Sequence, residues 1–237
     1  MRIANLPSRE PEVFATVQGE GVSCGVPSVF VRLADCSLRC AWCDTAYTWD
    51  WSRYDRAVET RELSVEEVVA AVRRVAGDGV RSVVFTGGEP LLQQRELAAA
   101  AGALRAVGFR VEVETNGTLA PDEALAAAVD QWNVSPKLTG SGNPEKARLR
   151  PAALGWFAAR PEAFFKLVVA SPQDLDEATA LVGRLGVPRS RVILMPEGVD
   201  AATLAERSRW LAEACTARGF RLGPRLHVHI WGSERGR

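Results

Sequence analysis

Three thiols crowd into one short stretch at Cys36, Cys40 and Cys43, in the spacing C-x3-C-x2-C. Thiolates so spaced can hold three irons of a 4Fe–4S cluster and leave the fourth iron open. An open metal position is where chemistry takes place, by the logic that separates open catalytic zinc sites from closed structural ones. The competing chemistry is a zinc knot, which needs a fourth ligand. Cys24, Cys215, His227 and His229 are the remaining candidates, and none stands at a finger spacing from the triplet. The spacing therefore predicts a cluster, and Cys24 and Cys215 read as ordinary thiols.

Such a loop has to be mounted on rigid elements, and the hydrophobic pattern supplies an alternating series of them. Val29–Leu33 reads as the strand that leads into the cysteine loop. A helix is predicted over Glu66–Val75, with Ser64 as N-cap and Glu67 as its capping-box partner. Ser82–Phe85 reads as a buried strand, followed by an Ala-rich helix over Leu92–Val107 that ends at Gly108. Arg110–Val113 reads as a strand, and Pro121–Val129 as a helix with proline in its first turn. Strands are predicted at Trp132–Val134, Phe164–Val169 and Arg191–Leu194, with helices over Asp174–Leu185 and Ala201–Ala217. The alternation predicts parallel βα units.

Polar and Gly/Pro-rich groups follow strand after strand: Thr86-Gly87-Gly88-Glu89-Pro90, Glu114-Thr115-Asn116-Gly117, Ser135-Pro136-Lys137, Ala170-Ser171 and Met195-Pro196-Glu197-Gly198. Each alone reads as an ordinary turn. Together, at the carboxyl ends of parallel strands and beside a cluster loop, they predict one ligand site. An open iron can chelate the amino and carboxylate groups of S-adenosylmethionine, and one electron then breaks its sulfonium bond to give a 5′-deoxyadenosyl radical. Gly87 and Gly88 would let the backbone approach that cofactor, and Glu89 would add a carboxylate for its ammonium. Glu114 and Asn116 suit ribose hydroxyls. Trp42, inside the cysteine loop, has three roles open to it: packing on the cofactor, shielding the cluster, or joining the core.

The chain of 237 residues is 47% hydrophobic and 24% charged, enough for one α/β domain over 1–237 with short terminal extensions. Lys plus Arg and Asp plus Glu both number 29, so no net charge draws the protein to nucleic acid or an anionic membrane. Five cysteines, three of them bunched, do not make a secreted disulfide framework and suit a reducing cytoplasm. Neither a signal core nor a run long enough to span a bilayer is seen, and there are no repeats.

The cysteine triplet, with an aromatic residue just before its third member, together with Gly87-Gly88-Glu89-Pro90 resembles the radical S-adenosylmethionine superfamily. Further runs are similar, within it, to the 7-carboxy-7-deazaguanine synthases. They are Thr16-Val17-Gln18-Gly19-Glu20-Gly21, Pro27, Phe30-Val31-Arg32, Cys43-Asp44-Thr45, Glu114-Thr115-Asn116-Gly117, Ser135-Pro136-Lys137, Pro224-Arg225-Leu226-His227 and Ile230-Trp231-Gly232. The resemblance covers the chain from about Phe14 to Gly236, and the Gln-Gly-Glu-Gly run with Cys-Asp-Thr is its specific part.

The resemblance implies an incomplete (β/α)6 TIM-like barrel, open on one side, with one more strand past Gly219. It implies a lyase that contracts 6-carboxy-5,6,7,8-tetrahydropterin to 7-carboxy-7-deazaguanine with loss of ammonia, in 7-deazapurine biosynthesis of the queuosine type. The cofactors implied are a 4Fe–4S cluster on Cys36, Cys40 and Cys43, S-adenosylmethionine, and Mg2+ on Thr45. Magnesium accepts so sparse a protein site because it keeps waters and shares ligands with substrate. Substrate contacts fall on Val17, Gln18, Gly19, Glu20, Arg32, Thr86 and His227. Gln18 offers donor and acceptor to the pterin edge, and Arg32 a fork for the carboxylate. The alternative for Arg32 is a local pair with an acid such as Asp35. Cofactor contacts fall on Trp42, Asp44, Gly87, Gly88, Glu89, Glu114, Asn116, Ser135, Pro136, Lys137, Met195, Pro196, Glu197 and Gly198. A homodimer and an electron donor such as flavodoxin or ferredoxin are implied as partners.

The chain departs from the family pattern at Asp35, where Gly is usual, at Ser37, where Asn is usual, and at Ser233-Glu234-Arg235. Leu226, Val228 and Ile230 alternate with His227, His229 and Trp231, which predicts a strand with both histidines on one face. Two rival readings stand beside the synthase. A glycyl-radical activating enzyme would share the cysteines and Gly-Gly-Glu-Pro but lack the Gln18-Gly19-Glu20 run and Thr45. A non-catalytic iron–sulfur or zinc-binding module would need no cofactor loops on later strands.

Overall fold

Ten strands join in one sheet in the computed structural model, which describes residues 1–237. They are β1 (Arg2–Ala4), β2 (Val13–Val17), β3 (Pro27–Leu33), β4 (Thr60–Glu62), β5 (Ser82–Gly87), β6 (Arg110–Thr115), β7 (Gln131–Val134), β8 (Ala163–Val169), β9 (Val192–Pro196) and β10 (Arg221–Leu222). The helices are α1 (Arg56–Glu59), α2 (Val65–Ala76), α3 (Gln94–Ala106), α4 (Glu123–Ala128), α5 (Glu145–Arg148), α6 (Pro151–Ala158), α7 (Pro172–Leu185), α8 (Ala201–Arg218) and α9 (Leu226–Trp231). From β3 through β5, β6, β7, β8 and β9 to β10 every neighbour runs parallel, with helices between. Antiparallel β1 and β2 both pair with β3, and β4 pairs with β1. The sheet order runs from β10 to β4 and those edges do not meet, so the barrel is incomplete. No helix is long and apolar enough to cross a membrane.

Side-chain alternation explains how the sheet builds a core on one face and a site on the other. Val29, Val31, Leu33, Val83, Phe85, Val111, Val113, Trp132, Val134, Phe165, Leu167, Val192 and Leu194 face the helices in one buried cluster. The helices answer with stripes at helical spacing, such as Leu97, Ala100, Ala101 and Leu104 on α3 and Leu175, Ala178, Leu181 and Val182 on α7. The intervening residues, among them Arg32, Thr86, Glu112, Glu114, Gln131, Asn133 and Lys166, point into the barrel. Below the site Glu112 is fully buried and accepts from Ser23 at 2.6 Å, Gln131 at 2.9 Å and Asn133 at 3.0 Å, as well as from Arg110. A charge so enclosed needs that many donors.

The predicted βα series is present, with differences at its ends. The capping box on α2 is formed, Ser64 Oγ accepting from Glu67 N at 3.2 Å and Glu67 Oε2 from Ser64 N at 2.7 Å. The helix predicted from Leu92 opens instead as a 3-10 turn over Pro90–Gln93, because the Glu89 side chain caps Leu91 N. Pro121 stands outside α4, whose N-cap is Asp122. The predicted strand around Leu226–Trp231 is the helix α9: Leu226 N is tied to Gly19 O at 2.9 Å, and His229 N turns back to Arg225 O. Six alternating residues fit either period, and only a partner strand would have made them extended. In the helix the two histidines part, His227 lining the site and His229 lying exposed. Pairing of β10 with β9 supplies the expected extra strand past Gly219.

Candidate active site

The cysteine loop leaves β3 through Asp35, whose backbone is left-handed at φ 69°. That conformation is the one glycine takes freely and aspartate tolerates better than most residues. Asp35 is anchored there by Arg2, by Arg56 Nη2 at 3.0 Å and by Trp51 Nε1 at 3.2 Å. The departure from Gly thus carries its own support. Asp35 is therefore not the partner of Arg32: Arg32 Nε donates instead to Glu12 Oε1 at 2.7 Å. Glu12 is fully buried and also accepts from Tyr47 at 3.0 Å and Arg235 at 3.4 Å. The Arg32 Nη groups donate to nothing in the protein, and its side chain lines the cavity.

Beyond Asp35 the loop is sewn to later strands. Ala41 N donates to Ser141 O at 3.0 Å, Trp42 Nε1 to Gly140 O at 3.2 Å, and Arg39 N to Asn143 Oδ1 at 2.9 Å. The closest approach is to Gly87 and Gly88. A Cβ on Gly88 would overlap the Asp35 carbonyl, and one on Gly87, at φ 125°, would overlap the Leu33 backbone. The glycines are required where backbone meets backbone, and both also line the cavity. Glu89 is corrected. It is fully buried behind the site, and its carboxylate is used by Leu91 N at 3.0 Å, Thr115 Oγ1 at 2.8 Å and Asn116 N at 2.7 Å. Burial pushes its pKa up against those donors.

One cavity of about 230 Å3 opens at the carboxyl ends of the parallel strands. Cys36, Cys40, Cys43, Trp42, Asp44 and Thr45 line it from the cysteine loop, and Val17, Gln18, Gly19 and Glu20 from the segment after β2. Arg32, Thr86, Gly87, Gly88, Glu114, Asn116, Ser135, Lys137, Met195, Glu197 and His227 complete the set drawn from the sequence. Four predicted contacts do not reach it. Glu89 is spent internally, Pro136 and Pro196 are absent from the wall, and Gly198 turns its carbonyl to Arg225 Nη1 at 2.6 Å. Asn116, on the cavity wall, donates its amide to Ser37 Oγ at 2.9 Å, toward the cysteine loop. Trp42 belongs to the cavity wall and not to the core, with the Lys137 ammonium over its ring at 5.7 Å.

The electrostatics of the wall are self-contained. Glu20 pairs with Lys166 and with Arg225 Nε at 2.9 Å, and Arg225 continues to Asp44. Burial alone would raise Glu20, but Lys166 and Arg225 overcome it and hold the carboxyl well below its ordinary range. Glu114 accepts from Thr86 at 2.8 Å and Gln18 at 3.3 Å. Burial lowers His227, against the pull of Glu20, so its imidazole is neutral at pH 7. A Cβ on Gly19 would strike the His227 ring, so that glycine seats α9 against the site. Phe14 and Phe30 stack at 5.6 Å to give the cavity a flat apolar patch.

Lys166, Arg225, Glu12, Asn143 and Trp49 were not singled out by sequence reasoning. A lysine inside the apolar run Phe164-Phe165-Lys166-Leu167-Val168 was a legible signal. The others depend on distant partners.

No group of three His, Cys, Asp or Glu side chains converges as a site for a metal ion. A zinc knot requires such convergence, whereas a four-iron cluster offers a separate iron to each thiolate. Cys215 is buried on α8 and Cys24 and His229 lie off the cavity, so the candidate fourth ligands for zinc, His227 apart, do not reach the triplet. Three soft sulfurs facing one cavity fit an iron–sulfur cluster. Burial pushes the Cys36 thiol up to about 12 and raises Cys40, so iron must displace protons to bind.

A family model for the radical SAM superfamily matches residues 31–139. The 7-carboxy-7-deazaguanine synthase of Pyrobaculum aerophilum is 44% identical over 227 residues, covering 95% of this chain and 96% of its own. That of Escherichia coli K12 is 31% identical over 232 residues, covering 92% and 96%. The crystal structure of QueE from Escherichia coli superposes with a TM-score of 0.70 at 29% identity, covering 96% of this chain and 95% of that one.

Proposed function

Because the chain belongs to the family of 7-carboxy-7-deazaguanine synthases, we propose that it converts 6-carboxy-5,6,7,8-tetrahydropterin to 7-carboxy-7-deazaguanine with loss of ammonia. It is a radical SAM lyase with an open, mostly parallel barrel. One observation carries the substrate reading: the three cysteines and Gln18, Arg32 and Thr86 line the same cavity. When bound, the cluster and S-adenosylmethionine supply a carbon-centred radical that can take a hydrogen atom from the substrate.

The protein's own residues bind, orient and exclude water. Glu12 holds Arg32 by Nε and leaves its Nη edge for the substrate carboxylate. Gln18 and Thr86, fixed against Glu114, present their remaining polar groups to the pterin ring. The stacked Phe14 and Phe30 suit a planar heterocycle. His227, Glu20 and Lys166 stand together on the wall as groups through which a proton can be passed to the nitrogen that leaves as ammonia. Trp42, Asp44, Ser135, Lys137, Met195 and Glu197 form the wall on the cofactor side. Thr45 Oγ1 is the one protein oxygen assigned to Mg2+, beside Cys43 at 3.6 Å. A homodimer in the cytoplasm, reduced by a flavodoxin or ferredoxin and feeding queuosine-type biosynthesis, completes the reading.

The test is one anaerobic assay of reconstituted protein with S-adenosylmethionine, magnesium, dithionite and 6-carboxytetrahydropterin, read by mass spectrometry. The expected product is 7-carboxy-7-deazaguanine. Appearance of 5′-deoxyadenosine alone refutes the substrate and leaves the superfamily assignment standing.

A further inference from the structure

Each of the three cluster cysteines receives a side-chain N–H from a different part of the chain. Asn116 Nδ2, after β6, lies 3.8 Å from Cys36 Sγ. Asn143 Nδ2, before α5, lies 3.3 Å from Cys40 Sγ. Trp49 Nε1, just past the 3-10 turn Ala46–Thr48, lies 3.3 Å from Cys43 Sγ. No residue within the triplet's own loop places a side-chain nitrogen on these sulfurs; Leu38 N adds a backbone donor to Cys36 at 3.5 Å.

The orientation of these groups is determined and not a matter of which way an amide is drawn. Asn116 Oδ1 accepts from Thr118 N at 2.9 Å, which turns its amino group toward Ser37 and Cys36. Asn143 Oδ1 accepts from Arg39 N at 2.9 Å, which turns its amino group toward Cys40 and Ser141. Trp49 has a donor and no acceptor, and Cys43 Sγ is the only partner it has. A neutral thiol is a weak acceptor, whereas a charged sulfur roughly doubles the strength of such a bond. Three oriented donors, one on each sulfur, therefore suit thiolates that carry charge.

We propose that Asn116, Asn143 and Trp49 form a set of sulfur-directed donors that raises the reduction potential of the cluster and so eases entry of the electron. This rests on the cluster reading given above. Reduction adds one negative charge, shared between iron and sulfur, and N–H groups aimed at sulfur stabilise the reduced form more than the oxidised one. The electron comes from an external one-electron reductant, and no bond in the protein changes. These are positioning residues for charge and do not touch the reacting atoms.

The experiment compares reconstituted native protein with Trp49→Phe, Asn143→Leu and the double variant, by iron content and by EPR-monitored redox titration. Each single change is expected to lower the potential by about a tenfold change in the reduction equilibrium, about 59 mV for one electron. The double variant should show about the sum. Trp51→Phe, which removes an indole N–H that serves Asp35 and no sulfur, should keep the native potential. Variants that load iron fully and change the reduction equilibrium by less than twofold overturn the proposal, as do variants that lose iron while keeping native circular dichroism. If a variant does not fold, resonance Raman spectra of the native protein decide: iron–sulfur stretches that shift in D2O support the donors, and unshifted ones overturn them. A native protein that takes up no iron would sink the cluster reading itself, a result distinct from either.

Discussion

Replacing Glu12 by Gln removes one negative charge from a fully buried position while keeping its shape. That charge faces two guanidinium groups, Arg32 at 2.7 Å and Arg235 at 3.4 Å, and the Tyr47 hydroxyl at 3.0 Å. Breaking a buried ion pair on one side costs about 3–5 kcal/mol, because the remaining charge is left without compensation. Arg32 and Arg235 side chains keep 17% and 19% of their exposure, so water takes over part of the work and the low end applies, about 3 kcal/mol. For a chain of this size that lowers the melting temperature by about 6–12 °C. Glu62→Gln is the control: Glu62 pairs with Arg2 and the N-terminus but is 63% exposed, and its loss should cost less than about 1 kcal/mol. Calorimetry of both variants reads the difference directly. If Glu12→Gln melts no lower than Glu62→Gln, the reasoning that Glu12 holds the Arg32 side of the site is refuted. In the folded variant KM for the carboxylated pterin should rise while S-adenosylmethionine affinity stays, since of the partners of Glu12 only Arg32 lines the cavity.

Further outcomes are expected. The Glu20 carboxyl is held below its unfolded value of 4.5, so the stability it contributes is complete above pH 4.5 and is lost as pH falls below it; acid unfolding of Glu20→Gln should be correspondingly flatter. Gly88→Ala should cost about 1–3 kcal/mol and depress iron loading, whereas Gly102→Ala, in open space on α3, should stabilise by about 1 kcal/mol in thermal melts. Cys40→Ala should abolish turnover and the cluster's visible absorbance, and intact absorbance would contradict the ligand assignment. Thr45→Ala should keep that absorbance and lose the magnesium dependence of the rate.

How much was legible depends on how local each determinant is. The parallel series could be read because each strand carries its own alternation and each helix its own stripe and cap, as Ser64 and Glu67 do for α2. The short antiparallel pieces β1 and β4 could not, since three residues carry no period and are held only by pairing. The site was legible where residue types crowd in sequence, as with the cysteines and the loops after β5 and β6. It was not legible where a charge is explained by a partner far along the chain. Lys166 reaches Glu20 and Arg225 reaches Asp44 across the whole fold. α9 was misread for the same reason, because what bends it is the seat against Gly19 and not its own pattern.

The contact of Gly87 and Gly88 with the Leu33 and Asp35 backbone divides the cavity into two halves of unequal evolvability. On that side main chain meets main chain, and no choice of neighbouring side chain can make room for a larger residue. The rest of the wall, with Val168 and Met195 on β8 and β9 and the stacked Phe14 and Phe30 on β2 and β3, is made of side chains that can be exchanged one at a time. Anyone reshaping this catalyst for a bulkier heterocycle, or reconstructing how such a catalyst acquired one, should look for the variable positions there and leave the glycine pair untouched.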